Sequence, residues 1–200
     1  MKNILIAFLL FSTFAFAQDG NDLKGHSHEH IVSYHSDIHV LKNCDVRIIE
    51  TIEVLVRNQF INHGIYRDLP LSYLYRGGNV NVGFNLISIK YDGETEDYHT
   101  ENLDNGIRIY AGSAERYVTQ GIHIYQIEYE VDHVLGLYEE FDEISWNVNG
   151  NGWAYDIDSI SANVYLPDGA KIKQFAGYTG VFGSSEQNYT AKEIPGGVQF

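Results

Sequence analysis

The chain has 200 residues, a formal net charge of −14 and a single cysteine. A surface that acidic repels nucleic acid and anionic membrane, so no nucleic-acid partner is expected. One thiol cannot form an intrachain disulfide, and Cys44, in "KNCD" between two strand-like runs, reads as a turn residue rather than a nucleophile.

The first element is an export signal. Lys2 precedes an apolar run from Ile4 to Phe14, and Ala15-Phe16-Ala17 is a small-x-small cleavage site. Residues 1–17 therefore read as a signal peptide, too short for a membrane span, with Gln18 as the mature start. Residues 18–30, "QDGNDLKGHSHEH", read as a flexible leader. His26, His28 and His30 alternate within it, and imidazoles on one side of an extended chain are potential Zn, Cu or Ni ligands. A stable site needs ligands held in fixed geometry, so a solvated leader without intrinsic metal is the expectation, and no cofactor is assigned.

From residue 31 onward, alternation dominates. In "VRIIETIEVLVR" the even positions Val46, Ile48, Ile52, Val54 and Val56 share one face. "GIHIYQIEYEV" puts Tyr125, Ile127, Tyr129 and Val131 on one side. Trp146 is in step with Ile144 and Val148. Ile160, Ala162, Val164 and Leu166 face one way in "SISANVYLP". Turn signals at "NCD", "RGGN", "DGE", "DNG", "NGNG", "PDG" and "PGG" separate these runs. No helix of ten residues is visible. Short half-buried strands need a second sheet to cover them, which predicts an all-β, antiparallel β-sandwich over 31–200, immunoglobulin-like or jelly-roll-like. A closed barrel is the alternative. The closing "EIPGGVQF" reads as a turn followed by the start of a strand, the expectation for a domain that is part of a longer protein.

Three stretches concentrate polar chemistry. The acidic sets at 92–97, 139–143 and 156–158 match no spaced calcium loop and read as solvated loops. "ISWNVNGNGWAYDI" offers Asn147, Asn149, Asn151 and Trp153, a combination of ring and amides that suits a glycan. "NHGIYRDLPL" contains His63, Tyr66, Arg67 and Asp68. Leu69 before Pro70 forces this chain to run extended, so Arg67 shares a side with Ile65 and Leu69 and points inward, while Asp68 points out. His63 has no serine or cysteine partner nearby, and no catalytic residue is assigned. His63, Tyr66 and Asp68 form a candidate binding rim.

"HGIYRDLPL", "GIHIYQIEYEV" and "DEISWNVNGNGW", followed by a strand ending "VYLPDG", occur in an order that resembles one bacterial family. It is the N-terminal domain of the predicted membrane protein family, domain of unknown function 2207. The motifs stand here as His63-Gly64-Ile65-Tyr66-Arg67, Gly121-x-His123-x-Tyr125 and Trp146-Asn147-x-x-Gly150-x-x-Trp153. "KNCD" departs from an Asp-Gly turn, and Leu69 from the commoner Ile. The resemblance implies an extracytoplasmic β-domain with a membrane tether downstream of residue 200, and it carries over no catalytic residue.

An inward guanidinium needs acceptors. The segment "EEFDEISWN" leads into the Trp motif that accompanies "HGIYR" in the family. It predicts a structural clamp in which Arg67 pairs with Asp142 or Glu143, or with carbonyls of that segment, beside Trp146. The functional expectation is a non-catalytic interaction or sensing domain with an unknown protein or glycan ligand. A carbohydrate-binding module and a hydrolase are the alternatives.

Overall fold

The computed structural model describes residues 3–12, 28–75, 78–180 and 184–200. Among them every helix or strand is a strand, so the chain is all-β, as its period-two faces require. In order these are β1 (Asn3–Ser12), β2 (His30–Val40), β3 (Val46–Val56), β4 (Gly64–Pro70), β5 (Ser72–Tyr75), β6 (Gly78–Asn81), β7 (Phe84–Tyr91), β8 (Glu94–Thr95) and β9 (Tyr98–Leu103). They continue with β10 (Gly106–Gly112), β11 (Gly121–Val131), β12 (Leu135–Leu137), β13 (Phe141–Asn147), β14 (Ile160–Tyr165), β15 (Lys171–Gly180), β16 (Lys192–Ile194) and β17 (Gly197–Gln199).

Eight strands form the largest sheet, in the order β16-β17-β14-β2-β3-β11-β7-β8. β14 and β2 pair in parallel, and the other pairs are antiparallel. A three-stranded antiparallel sheet, β4-β10-β9, lays Ile65, Leu69, Ile109 and Ala111 into the same core. A third sheet, β12-β13-β1-β15, holds β1 in parallel between β13 and β15. β5 and β6 make a separate hairpin.

The inward faces are those the alternation predicts. Ile48, Ile52, Val54, Ile127, Tyr129, Trp146, Val148 and Val164 are buried. Ile160 and Leu166, at either end of β14, pack on the core but stay partly exposed. One slip departs from strict alternation. The β2–β3 register shifts between Ile31 and Ser33, so Ile31 and Tyr34 both turn inward although three residues apart. Cys44 is exposed in the β2–β3 turn at φ 72°.

Glu29 and His30 are buried, and His30 opens β2, which corrects the leader boundary. The Glu29 carboxylate accepts from the amides of Arg57 (2.9 Å), Gln59 (3.1 Å), Phe60 (2.7 Å) and Ile61 (2.9 Å), stapling the loop after β3. Burial pushes this carboxyl up, but the four amide donors outweigh it and hold its pKa below the ordinary 4.5. A depressed folded-state pKa means that the contribution is full above 4.5 and is lost as pH falls through the folded value. Glu29→Gln should therefore lower stability by about 1–3 kcal/mol at neutral pH. In urea titrations run across pH, its deficit against wild type should shrink in acid. A deficit that does not change with pH would show that the charge on Glu29 is irrelevant.

Candidate functional site

β4 alternates across its sheet: Ile65, Arg67 and Leu69 are buried, while Tyr66 and Asp68 are half-exposed. Arg67 thus enters the space between the three-stranded and eight-stranded sheets, where it is only 2% exposed. Its Nε donates to Glu50 Oε2 at 2.9 Å and its Nη2 to Glu50 Oε1 at 2.8 Å. Nη1 donates to the Asp68 carbonyl at 2.8 Å, and the Tyr129 hydroxyl donates to Glu50 Oε1 at 2.8 Å. Two isolated ions here would cost several kcal/mol to desolvate; the bidentate pairing and the extra donors make them tolerable. Burial alone would lower the Arg67 pKa, but Glu50 reverses the direction and keeps the guanidinium firmly charged.

The partner of Arg67 is therefore Glu50, and not Asp142 or Glu143, which are half-buried on β13. Glu50 occupies an even position of "VRIIETIEVLVR", between Ile48 and Ile52, on the buried face of β3. A carboxylate inside an apolar stripe was the available signal.

The Trp motif still reaches Arg67, by another route. After β13 the chain buries Val148, Asn149 and Gly150 and folds over the guanidinium. Gly150 sits at φ +70°, and a Cβ there would come within 2.1 Å of Arg67 Nη1. Only glycine satisfies both the left-handed backbone and the close approach. The Trp153 ring lies 6.0 Å from the Arg67 guanidinium carbon and meets Tyr34 edge-on at 6.0 Å. Trp153 Nε1 donates to the Asn149 carbonyl at 2.7 Å, and Asn147 Oδ1 accepts from the Gly150 amide at 3.0 Å. These polar atoms serve the loop itself. Of the glycan candidates Asn147, Asn149, Asn151 and Trp153, Asn151 is the exposed one.

Other candidates fall elsewhere. The His63 ring lies 4.3 Å from Tyr117, with Nδ1 3.0 Å from the Arg116 carbonyl. His26 lies outside the described residues. His28 Nε2 is 3.6 Å from Asp156, and buried His30 Nε2 is 3.2 Å from Asp158. Among the described residues no group of three His, Cys, Asp or Glu is placed to hold a metal. His123 of the middle motif ties two loops to β11, with Nδ1 2.8 Å from Asp92 and Nε2 2.9 Å from the Thr119 carbonyl.

The outer face of β4-β10-β9 carries a constellation of polar and aromatic side chains. Tyr110 stands across from Tyr66 on one side and His99 on the other; Arg108 stands across from Asp68 and Glu101. Arg108 donates to both oxygens of Asp68, at 2.6 and 2.7 Å, and this pairing raises its pKa. Its guanidinium carbon lies 4.3 Å from the Tyr66 ring. His99 stacks on Tyr110 at 4.3 Å and 10°. The Tyr110 hydroxyl donates to Glu101 at 3.1 Å. Tyr66, Arg108, Tyr110 and His99 form a ladder of planar groups standing on the sheet. Tyr66 and Asp68 were legible as outward residues. Arg108, Tyr110, His99 and Glu101 were not, because cross-strand neighbours depend on a register that local pattern does not encode.

Comparison with known proteins decides the family. The model of the predicted membrane protein (DUF2207) N-terminal domain matches residues 30–199. The chain belongs to this family. YciQ of Escherichia coli K12 is 33% identical over 111 residues, which are 55% of this chain and 18% of YciQ. The chain thus spans under a fifth of that relative. Among solved structures, native yeast LTA4 hydrolase aligns with a TM-score of 0.48 at 9% identity, over 70% of this chain and 23% of that one. An M1 zinc metallopeptidase from Deinococcus radiodurans aligns with a TM-score of 0.44 at 14% identity, over 88% and 38%. Neither likeness transfers an activity. Among the described residues no helix is long and apolar enough to cross a membrane.

Proposed function

We propose that this DUF2207 domain is a non-catalytic, extracytoplasmic interaction or sensing module of a membrane-anchored bacterial protein. Export through residues 1–17 and a tether beyond residue 200 belong to the same reading. Removal of the signal would vacate the place of β1 between β13 and β15.

The observation that carries the proposal is the Tyr66–Arg108–Tyr110–His99 ladder. Tyrosine and arginine dominate the energetics of protein interfaces. Here they are preorganised by the Asp68–Arg108 pair and by mutual stacking, so little side-chain entropy remains to be lost on binding. One face of Tyr66 is covered by Arg108 and one face of Tyr110 by His99. Tyrosine and arginine groups held by an ion pair are the composition of a protein-binding hot spot, and on that ground a protein ligand is favoured over a glycan.

The test is site-specific photocrosslinking in cells making the full-length protein. A crosslinker at Tyr110 should give a discrete protein adduct that Arg108→Ala abolishes. A crosslinker at Thr51, on the outer face of the large sheet, should give none. Equal adducts from both positions, or glycan binding with no protein adduct, would overturn the reading.

A further inference from the structure

The loops at residues 57–63 and 113–120 are stitched together at one end of the domain. Asn58 Nδ2 donates to the Val118 carbonyl at 2.8 Å, the Val118 amide to the Asn62 carbonyl at 2.8 Å, and Gln120 Nε2 to the Arg57 carbonyl at 3.2 Å. Each loop holds an aromatic ring out into solvent: Phe60 is 78% exposed and Tyr117 71%. Beside them, at the start of β11, Ile122 is 57% and Ile124 43% exposed. The exposure of Phe60 is not slack, because Glu29 fixes its own amide and those of Ile61 and Gln59. Large apolar groups kept rigidly in water at one end of a molecule mark a contact surface.

The topology indicates what lies there. β17 runs antiparallel to β14, with Gly197 opposite Tyr165 and Gln199 opposite Asn163. β14 runs parallel to β2, with Tyr165 opposite His39 and Asn163 opposite Asp37. β2 in turn starts at His30, opposite Leu55 near the far end of β3. From Gly197 to Gln199 the chain therefore heads toward the end that carries Phe60 and Tyr117. The Cys44 turn lies at the other end.

We propose that this end of the domain rests in the interface of a zwitterionic bilayer, with Phe60 and Tyr117 as its anchors; the inference rests on the membrane-anchored reading above. Aromatic rings partition to the headgroup level. The net charge of −14 disfavours anionic lipid, so the attraction is apolar burial rather than charge. Two rings give weak attachment on their own. A tether that holds the domain at the membrane makes weak attachment sufficient.

Spin labelling of the full-length protein in phosphatidylcholine vesicles tests this. Native Cys44, exposed at the opposite end, provides the water reference. Labels at Phe60→Cys and Tyr117→Cys in a Cys44→Ser background should collide more with oxygen, and less with a water-soluble nickel chelate, than the label at Cys44. Nickel accessibility equal to that at Cys44 would overturn the proposal. So would shielding from both reagents, which would mean that protein covers these rings. Protein that fails to float with the vesicles would instead refute the anchoring itself.

Discussion

Arg67→Ala should lower the unfolding free energy by about 3–5 kcal/mol, because it strands the Glu50 carboxylate in the core. Glu50 is fully buried, and after the substitution it would keep only the Tyr129 hydroxyl as a donor among the bonds described for it. The space left under Gly150 and Trp153 adds a cavity cost. Urea unfolding at neutral pH measures the loss. The double variant Arg67→Met, Glu50→Leu separates ion pairing from packing. Removing both charges relieves the desolvation cost that either charge alone would impose, so the double variant should recover most of the stability. An Arg67→Ala loss below about 1 kcal/mol would mean that water reaches the pair and that it behaves like a surface salt bridge.

Trp146→Ala, in the 200-residue chain, should cost roughly 3–5 kcal/mol. The ring is 7% exposed and lies in step with Ile144 and Val148 on the buried side of β13. Its Nε1 is buried without a hydrogen-bond partner among the described residues, so the indole contributes through contact area alone. Trp146→Phe, which removes the N–H and keeps most of the ring, should therefore lose less than half as much. Thermal or urea unfolding of the two variants side by side checks both expectations. A Phe variant as damaged as the Ala variant would show that the nitrogen bonds to water or to a neighbour in solution.

The class of the fold and the direction in which most side chains point were legible in the local residue pattern. Period-two alternation is a local property of each strand. Ile48, Ile52 and Val54 in β3, and Tyr125, Ile127 and Tyr129 in β11, could be assigned inward without knowing what covers them. The same rule turned Arg67 inward and Asp68 outward, because Ile65 and Leu69 flank them. The family motifs were legible for a different reason: Gly150 and Trp153 stand at fixed spacing after Trp146, along one continuous turn.

Pairing across the core depends on how the sheets stack. Glu50 and Arg67 are 17 residues apart and sit on different sheets, so their contact depends on how β4 stacks over β3. Nothing local to either strand specifies that stacking; it follows from the joint packing of all the apolar faces. The same holds for the outer ladder, where Arg108 meets Asp68 and His99 meets Tyr110 only in the particular register of β4, β10 and β9. The slip between Ile31 and Ser33 shows the limit from the other side. A single bulged residue reverses every face that follows it, and only the neighbouring strand reveals where it lies. Local chemistry set which residues had to be buried, and the long-range packing of the sheets chose their partners.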